Sequence, residues 1–195
     1  VAPDTPRQLE EAAARHGVRV LDAPVSGGAM GAADGRLAIM VGGDQDAFRR
    51  AMPVFEKMGA NVRRMGPTGA GTAMKLINQL LTCIHTVAAA EAFNLANSAG
   101  VDILKATDLL QKSFGGSTMV GRSGPITAAR DFENSGAPMR NLIKDIGIIM
   151  TMADEMKLSL PTGTAAAEIL YEGRDTGLSD HDIAAAIVPI ETHSG

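Results

Sequence analysis

Between Lys75 and Glu91 the chain carries no aspartate, glutamate, lysine or arginine. The segment from residue 72 to about 98 reads as one long helix, and a helix on a protein surface does not tolerate so long an uncharged stretch. It is therefore expected to be buried on most sides. Along this apolar rod Lys75, Asn78, Gln79, Thr82 and Thr86 recur at spacings of three or four. Such spacing puts them on one face as a polar stripe. The stripe has two readings: side chains satisfied by the carbonyls of a neighbouring helix, or the wall of a wet pocket. Lys75 favours the pocket, because an ammonium taken from water needs partners or loses its proton. A lysine so placed can be tuned toward acid-base work.

The long helix follows a change of character at Gly66-Pro67-Thr68-Gly69-Ala70-Gly71. Upstream, residues 6–16 favour a helix stopped at Gly17. Residues 18–22 are β-branched and partly alternating, and break at Pro24 into Ser26-Gly27-Gly28, so they predict a strand feeding a glycine loop. Residues 37–41 predict a second strand, Asp44 caps a helix running to about Met58, and residues 61–65 resemble a third strand. Downstream only helices are expected, over 102–112, 120–130, 139–157, 163–172 and 180–190, punctuated by Gly100, Gly115-Gly116, Pro138, Pro161 and Gly177. The expected boundary divides residues 1–68, an α/β segment, from residues 69–195, all helical.

Composition narrows the function classes. With 18 Lys+Arg against 22 Asp+Glu and no basic run, nucleic acid is not an expected partner. Cys83 is the single cysteine, which fits a reducing compartment and an inert packing role. No signal peptide opens the chain and no run of about 18 uninterrupted apolar residues spans a bilayer, so no membrane partner and a cytoplasmic location are expected. Aromatic residues make up only 3%, against 11 Met and 22 Gly. That balance suits helices packed closely through small and flexible side chains.

Two further candidates carry chemistry. The loop Asp22-Ala23-Pro24-Val25-Ser26-Gly27-Gly28 leaves a strand end, where ligands gather in open α/β sheets. Its N–H groups and the Ser26 hydroxyl could hold a carboxylate, although such loops are often mere turns. Lys144-Asp145 is a charged pair inside an apolar helix, which on its own reads as a structural ion pair. His16, His85, His181 and His193 lack metal-ligand spacing. Gly69-Ala70-Gly71-Thr72-Ala73-Met74-Lys75 has neither the glycine gap nor the hydroxyl residue after lysine of a phosphate loop.

Asp-Ala-Pro-Val-Ser-Gly-Gly (22–28), Met-Val-Gly-Gly (40–43), Gly-x-Gly-x-x-x-Lys-x-x-Asn (69–78) and Lys-Asp (144–145) stand together in an order and separation that resembles the β-hydroxyacid dehydrogenase family. The resemblance covers essentially the whole chain. It implies an α/β remnant of a Rossmann-type domain (1–68), followed by an all-α substrate and dimerisation domain (69–195). It further implies Lys75 as the acid-base residue, and Ser26, Gly27, Gly28, Asn78 and Gln79 around the substrate. Lys144 would contact an NAD or NADP cofactor, and the substrate would be a small β-hydroxy acid or its semialdehyde. The intact protein would be a homodimer or homotetramer. Gln79, where many relatives have a second asparagine, resembles the tartronate semialdehyde and threonate branches more than the 3-hydroxyisobutyrate one.

The family's pyrophosphate fingerprint is not found after any strand here. Residues 1–3 resemble the end of the cofactor domain, so about 100 N-terminal residues, most of a dinucleotide fold, are expected to be lacking from this chain. Two other functions are open: a lyase forming a Schiff base at Lys75, on the same buried lysine, and a noncatalytic helical assembly module, on the missing nucleotide fingerprint, against which Ser26, Lys75 and Asn78 stand.

Overall fold

The computed structural model describes residues 4–134 and 136–193; the reading of residues 1–3 lies outside them. The chain divides into two compact units, Val1–Asn78 and Gln79–Gly195.

The first unit holds α1 (Thr5–Ala14), β1 (Leu21–Asp22), β2 (Val25–Ser26), α2 (Gly28–Ala33), β3 (Ala38–Gly43), α3 (Gln45–Met58) and β4 (Asn61–Gly66), and the start of α4 (Ala70–Ser98). β3 is the spine of the sheet: antiparallel to β1 and β2, and parallel to β4. β1 and β2 keep one register along it, Leu21 facing Gly43 and Val25 facing Ile39. They are thus one strand paused at Ala23-Pro24, and the ladder is carried across the pause by the Met40 N–H, which donates to the Pro24 carbonyl at 3.0 Å. Leu37, Ile39 and Val41 form the core, with Leu21, Ala23, Phe48, Phe55 and Val62 packed on them. Asp44 caps α3, accepting from the Asp46 and Ala47 N–H groups at 3.1 and 2.9 Å. The Ala47 bond is the main reason its carboxyl is held below the usual carboxylate range, with the nearby Arg19 contributing.

The expected strands at 37–41 and 61–65 and the Asp44 cap are all present. β2 and the short α2 were not expected, since Pro24 and three small residues read as an end to regular structure. Pro24 lacks a donor yet keeps its acceptor, and that acceptor is the group the ladder uses.

The second unit continues α4 and adds α5 (Ile103–Gln111), α6 (Thr118–Ala129), α7 (Met139–Glu155), α8 (Pro161–Asp175), a 3-10 turn (Ile183–Ala186) and α9 (Ile187–His193). Outside the named strands, the described residues show one β-bridge, Pro138 with Asp182. The helix expected over 180–190 therefore starts as a tight 3-10 turn, capped by the Asp182 side chain. α5 and α6 approach closely because Gly121 and Gly124 leave room for the Gln111 and Thr107 side chains. α7 and α8 bury Met139, Leu142, Ile146 and Ile149, and Gly163, Ala166, Ala167, Leu170 and Gly173, stripes of helical period.

α4 departs from expectation. Cys83, Phe93, Ala89 and Ala90 are buried, but Leu81 and Leu95 are 48% and 71% exposed, and Ala88 between them is exposed. Among the described residues, uncharged side chains continue round the helix onto an exposed side. α4 is long and apolar enough to cross a membrane by length and composition. Its fully buried Phe93 and Cys83 are what the core helix of a folded domain also shows.

Asp182, 1% exposed, receives a bidentate pair from Arg122 at 2.7 and 2.5 Å and the Ala184 N–H at 2.9 Å. Taking the cation from a buried pair costs more than the pair contributes, since the remaining charge cannot reach water. Arg122→Leu is expected to destabilise the second unit by about 3–5 kcal/mol, seen as a lowered urea midpoint. A midpoint within error of the parent would contradict this account.

Candidate active site

The expected substrate loop and the expected proton-handling lysine lie in the first unit. Ser26 ends β2 half-buried, and the exposed Gly27 and Gly28 turn the chain into α2. Gly27 has φ of 131° and Gly28 of 62°, which side chains rarely adopt. A Cβ on Gly28 would meet nothing within 4 Å, so glycine is required there by its backbone angle rather than by lack of space. The first N–H groups of α2 have no intrahelical acceptor, as at the start of any helix. Beside the Ser26 hydroxyl they make a donor set suited to a carboxylate.

Lys75 and Asn78 sit half-buried in the first two and a half turns of α4. What sets the start of that helix is Asp22, which is buried, being 9% exposed. Its Oδ1 accepts from the Gly69 N–H at 2.8 Å, and its Oδ2 accepts from the Thr72 N–H at 2.7 Å and the Thr72 hydroxyl at 3.0 Å. A negative charge at a helix N-terminus is also favoured by the helix dipole. The carboxylate reaches the helix because Gly42 and Gly71 lack side chains. A Cβ at Gly42 would fall on Asp22 Oδ1 and within 2.8 Å of the Gly71 nitrogen, and one at Gly71 would lie 2.7 Å from the Asp22 carbonyl oxygen.

The polar stripe splits along its length. Thr86 is 1% exposed and its hydroxyl donates to the Thr82 carbonyl of its own helix at 2.7 Å. Gln79, in the second unit, donates through its amide nitrogen to Asp145 Oδ2 at 2.7 Å. Asp145 lies on α7 beside Lys144, whose ammonium is 3.2 Å from Asp145 Oδ1 while the lysine side chain is 65% exposed. Thr86 and the Asp145 bond of Gln79 thus serve the fold, while Lys144 presents a cation at the surface.

Sequence reasoning named Asp22 and Asp145 but missed what they do: one holds the start of α4 and the other receives the Gln79 amide. A signal for Asp22 existed: α4 opens at Gly69-Ala70-Gly71 with no side chain able to cap it, so its first N–H groups needed an acceptor from elsewhere. The pairing of Asp145 with Gln79 left no such signal, because a glutamine on a polar stripe does not name its partner. Among the described residues no group of three or more His, Cys, Asp or Glu could hold a metal ion.

Residues 69–190 match the family model described as NAD-binding of NADP-dependent 3-hydroxyisobutyrate dehydrogenase, and residues 1–66 match the NAD binding domain of 6-phosphogluconate dehydrogenase. The chain is 34% identical over 192 residues to NAD-dependent L-serine dehydrogenase of Pseudomonas aeruginosa, covering 94% of this chain and 64% of the relative. It is 35% identical over 175 residues to 3-hydroxyisobutyrate dehydrogenase of the same organism, covering 87% and 59%. Among solved structures, Mycobacterium tuberculosis 3-hydroxyisobutyrate dehydrogenase with L-serine superimposes with a TM-score of 0.87 at 33% identity, over 97% of this chain and 67% of that one. The chain thus spans less than two thirds of both sequence relatives.

Cys83 lies in the second unit, 0% exposed. Burial, with the Asp145 charge adding to it, pushes its thiol up to about 12. The folded state keeps a proton that the unfolded chain releases from about pH 9, so stability contributed by this group is constant below that pH and declines between pH 9 and 12. At pH 8 the native protein should resist a disulfide reagent such as DTNB under conditions that label Cys83 completely in urea. Rapid stoichiometric labelling of the native protein would contradict this.

Proposed function

The chain belongs to the β-hydroxyacid dehydrogenase family typified by 3-hydroxyisobutyrate dehydrogenase, and from that we propose that its parent protein is an NAD(P)-dependent oxidoreductase of small β-hydroxy acids or their semialdehydes. The observation that carries this reading is a half-buried lysine one turn below a buried helix cap, in the same compact unit as an open serine-glycine loop. In the oxidation direction Lys75, as the neutral amine, takes the proton of the substrate hydroxyl at Nζ; in reduction the ammonium returns it. Ser26 and the N–H groups at Gly27 and Gly28 hold the substrate carboxylate, and Asn78 orients the substrate from the helix face that carries Lys75. Gln79, whose amide nitrogen donates to Asp145, is the further residue proposed for substrate binding.

Lys144 is proposed as the cofactor contact: it offers an exposed ammonium, suited to an anionic or carbonyl group of a cofactor. NAD or NADP, when bound, supplies the hydride acceptor or donor at nicotinamide C4. The relatives named above bear dehydrogenase names, which supports this reading over a Schiff-base lyase or a noncatalytic helical module.

We place the protein in the cytoplasm on its single buried cysteine, and as a homodimer or homotetramer. Leu81, Ala88 and Leu95 recur every seven residues on the exposed side of α4, the spacing of a helix seam. Light scattering of the intact protein at micromolar concentration should give a multiple of the protomer mass, and a monomer would remove this part of the proposal.

Lys75→Ala and Lys75→Arg should each lower kcat by about a hundredfold or more, the scale of general acid-base catalysis, with cofactor affinity little changed. Arginine keeps the charge but does not deprotonate. Ser26→Ala should act mainly by raising KM for the hydroxy acid. Near-normal kcat in Lys75→Ala, at saturating cofactor, would overturn the assignment.

A further inference from the structure

We propose that Asp22 is a positioning residue that fixes the separation between the substrate loop and the proton-handling lysine. The proposal rests on the reading of Lys75 given above.

Two short, stiff paths leave this one carboxylate. Through its bonds to Gly69 and Thr72 it holds the first turn of α4, and Lys75 follows Thr72 by three residues, a rise of about 4.5 Å along a helix. Through its own backbone it continues along one strand register to Ser26, four residues on or about 13 Å of strand, with the ladder carried across Pro24 by the Met40 N–H. Neither path crosses a flexible connection, since both end inside regular structure of the same compact unit. Any change in how the carboxylate meets the helix therefore reaches Lys75 and leaves Ser26 in place.

Capping alone would not require this residue. A glycine-started helix could draw its cap from a neighbouring serine or asparagine, and a buried carboxylate is a costly choice unless fully hydrogen-bonded. Here both oxygens are engaged, one by Gly69 and the other twice by Thr72, and a Cβ at Gly42 would fall on the carboxylate itself while one at Gly71 would fall on the Asp22 and Met40 carbonyls. An asparagine at position 22 would turn an NH2 group toward a donor, Gly69 N–H or Thr72 N–H, so the first turn must shift to relieve the conflict. Misplacement by about an ångström is enough to cost a hundredfold in a positioned reaction.

The test uses the protein as its gene encodes it, assayed with L-serine and 3-hydroxyisobutyrate and normalised to folded protein by circular dichroism. Asp22→Asn should lower kcat about ten- to a hundredfold and raise the solvent deuterium isotope effect on kcat, because transfer to a displaced lysine becomes more rate-limiting. KM for the cofactor should stay within about twofold. A purely structural role would lower Tm while leaving the isotope effect and the rate per folded molecule at parental values; that result overturns the proposal. If Asp22→Asn does not fold, Thr72→Val decides, since it removes one of the three donors and keeps the carboxylate: a lowered kcat with a raised isotope effect supports the clamp, and an unchanged isotope effect overturns it. Lys75→Ala in parallel separates the two assignments. Parental kcat in Lys75→Ala removes the lysine reading itself, whereas its loss beside a parental Asp22→Asn removes only the clamp.

Discussion

At the C-terminal end of the sheet's central strand, the backbone of β3 meets the first turn of α4 with no side chain between them. Gly42 and Gly71 make that approach possible, and a methyl group on either would fall on carbonyl, carboxylate or amide atoms. Much else in the first unit depends on the contact. It lets a strand-end carboxylate reach into a helix start that has no cap of its own, and it sets where the first polar residues of that helix stand. The glycines thus act through the distance they permit, since Gly42 is not in the left-handed region and needs no special backbone angle.

The second unit solves a related problem by another route. Its helices also approach through glycines, at 121, 124, 163 and 173, but the loops that close it are tied by charge. Asp182 caps a 3-10 turn, takes two bonds from Arg122 and donates its N–H to the Phe132 carbonyl at 2.7 Å. One residue therefore joins α6, the segment after it and the C-terminal helices. The planar fork of arginine matches both oxygens at once, an arrangement that a lysine could not reproduce.

The sequence made the element types legible wherever one physical pattern dominated: the short apolar run closed by glycines in β3, the Asp44 cap of α3, the long uncharged stretch of α4. It was less legible at residues 23–28, where proline and glycines conceal a strand that continues in register because only a carbonyl was needed. The stripe on α4 was visible as a stripe, but spacing cannot tell which members face a ligand and which face another helix; Gln79 and Thr86 proved to have partners within the fold. The burial of α4 was overestimated as well, since absence of charge marks an apolar surface without showing that this chain covers it. Asp22 could have been found by accounting for unpaired N–H groups, a question that periodicity does not ask.

The environment of Cys83 also decides how this protein meets oxidants. Peroxide attacks the thiolate rather than the thiol, and a buried thiol raised to about 12 offers almost none at cellular pH. Sulfur chemistry is then left to thioethers that need no ionisation, and Met30 and Met156 are 79% and 61% exposed. Oxidative wear in this chain should accumulate as methionine sulfoxide on surface helices, a lesion that reductases reverse, while the sulfur beneath α7 keeps its reduced state through the life of the fold.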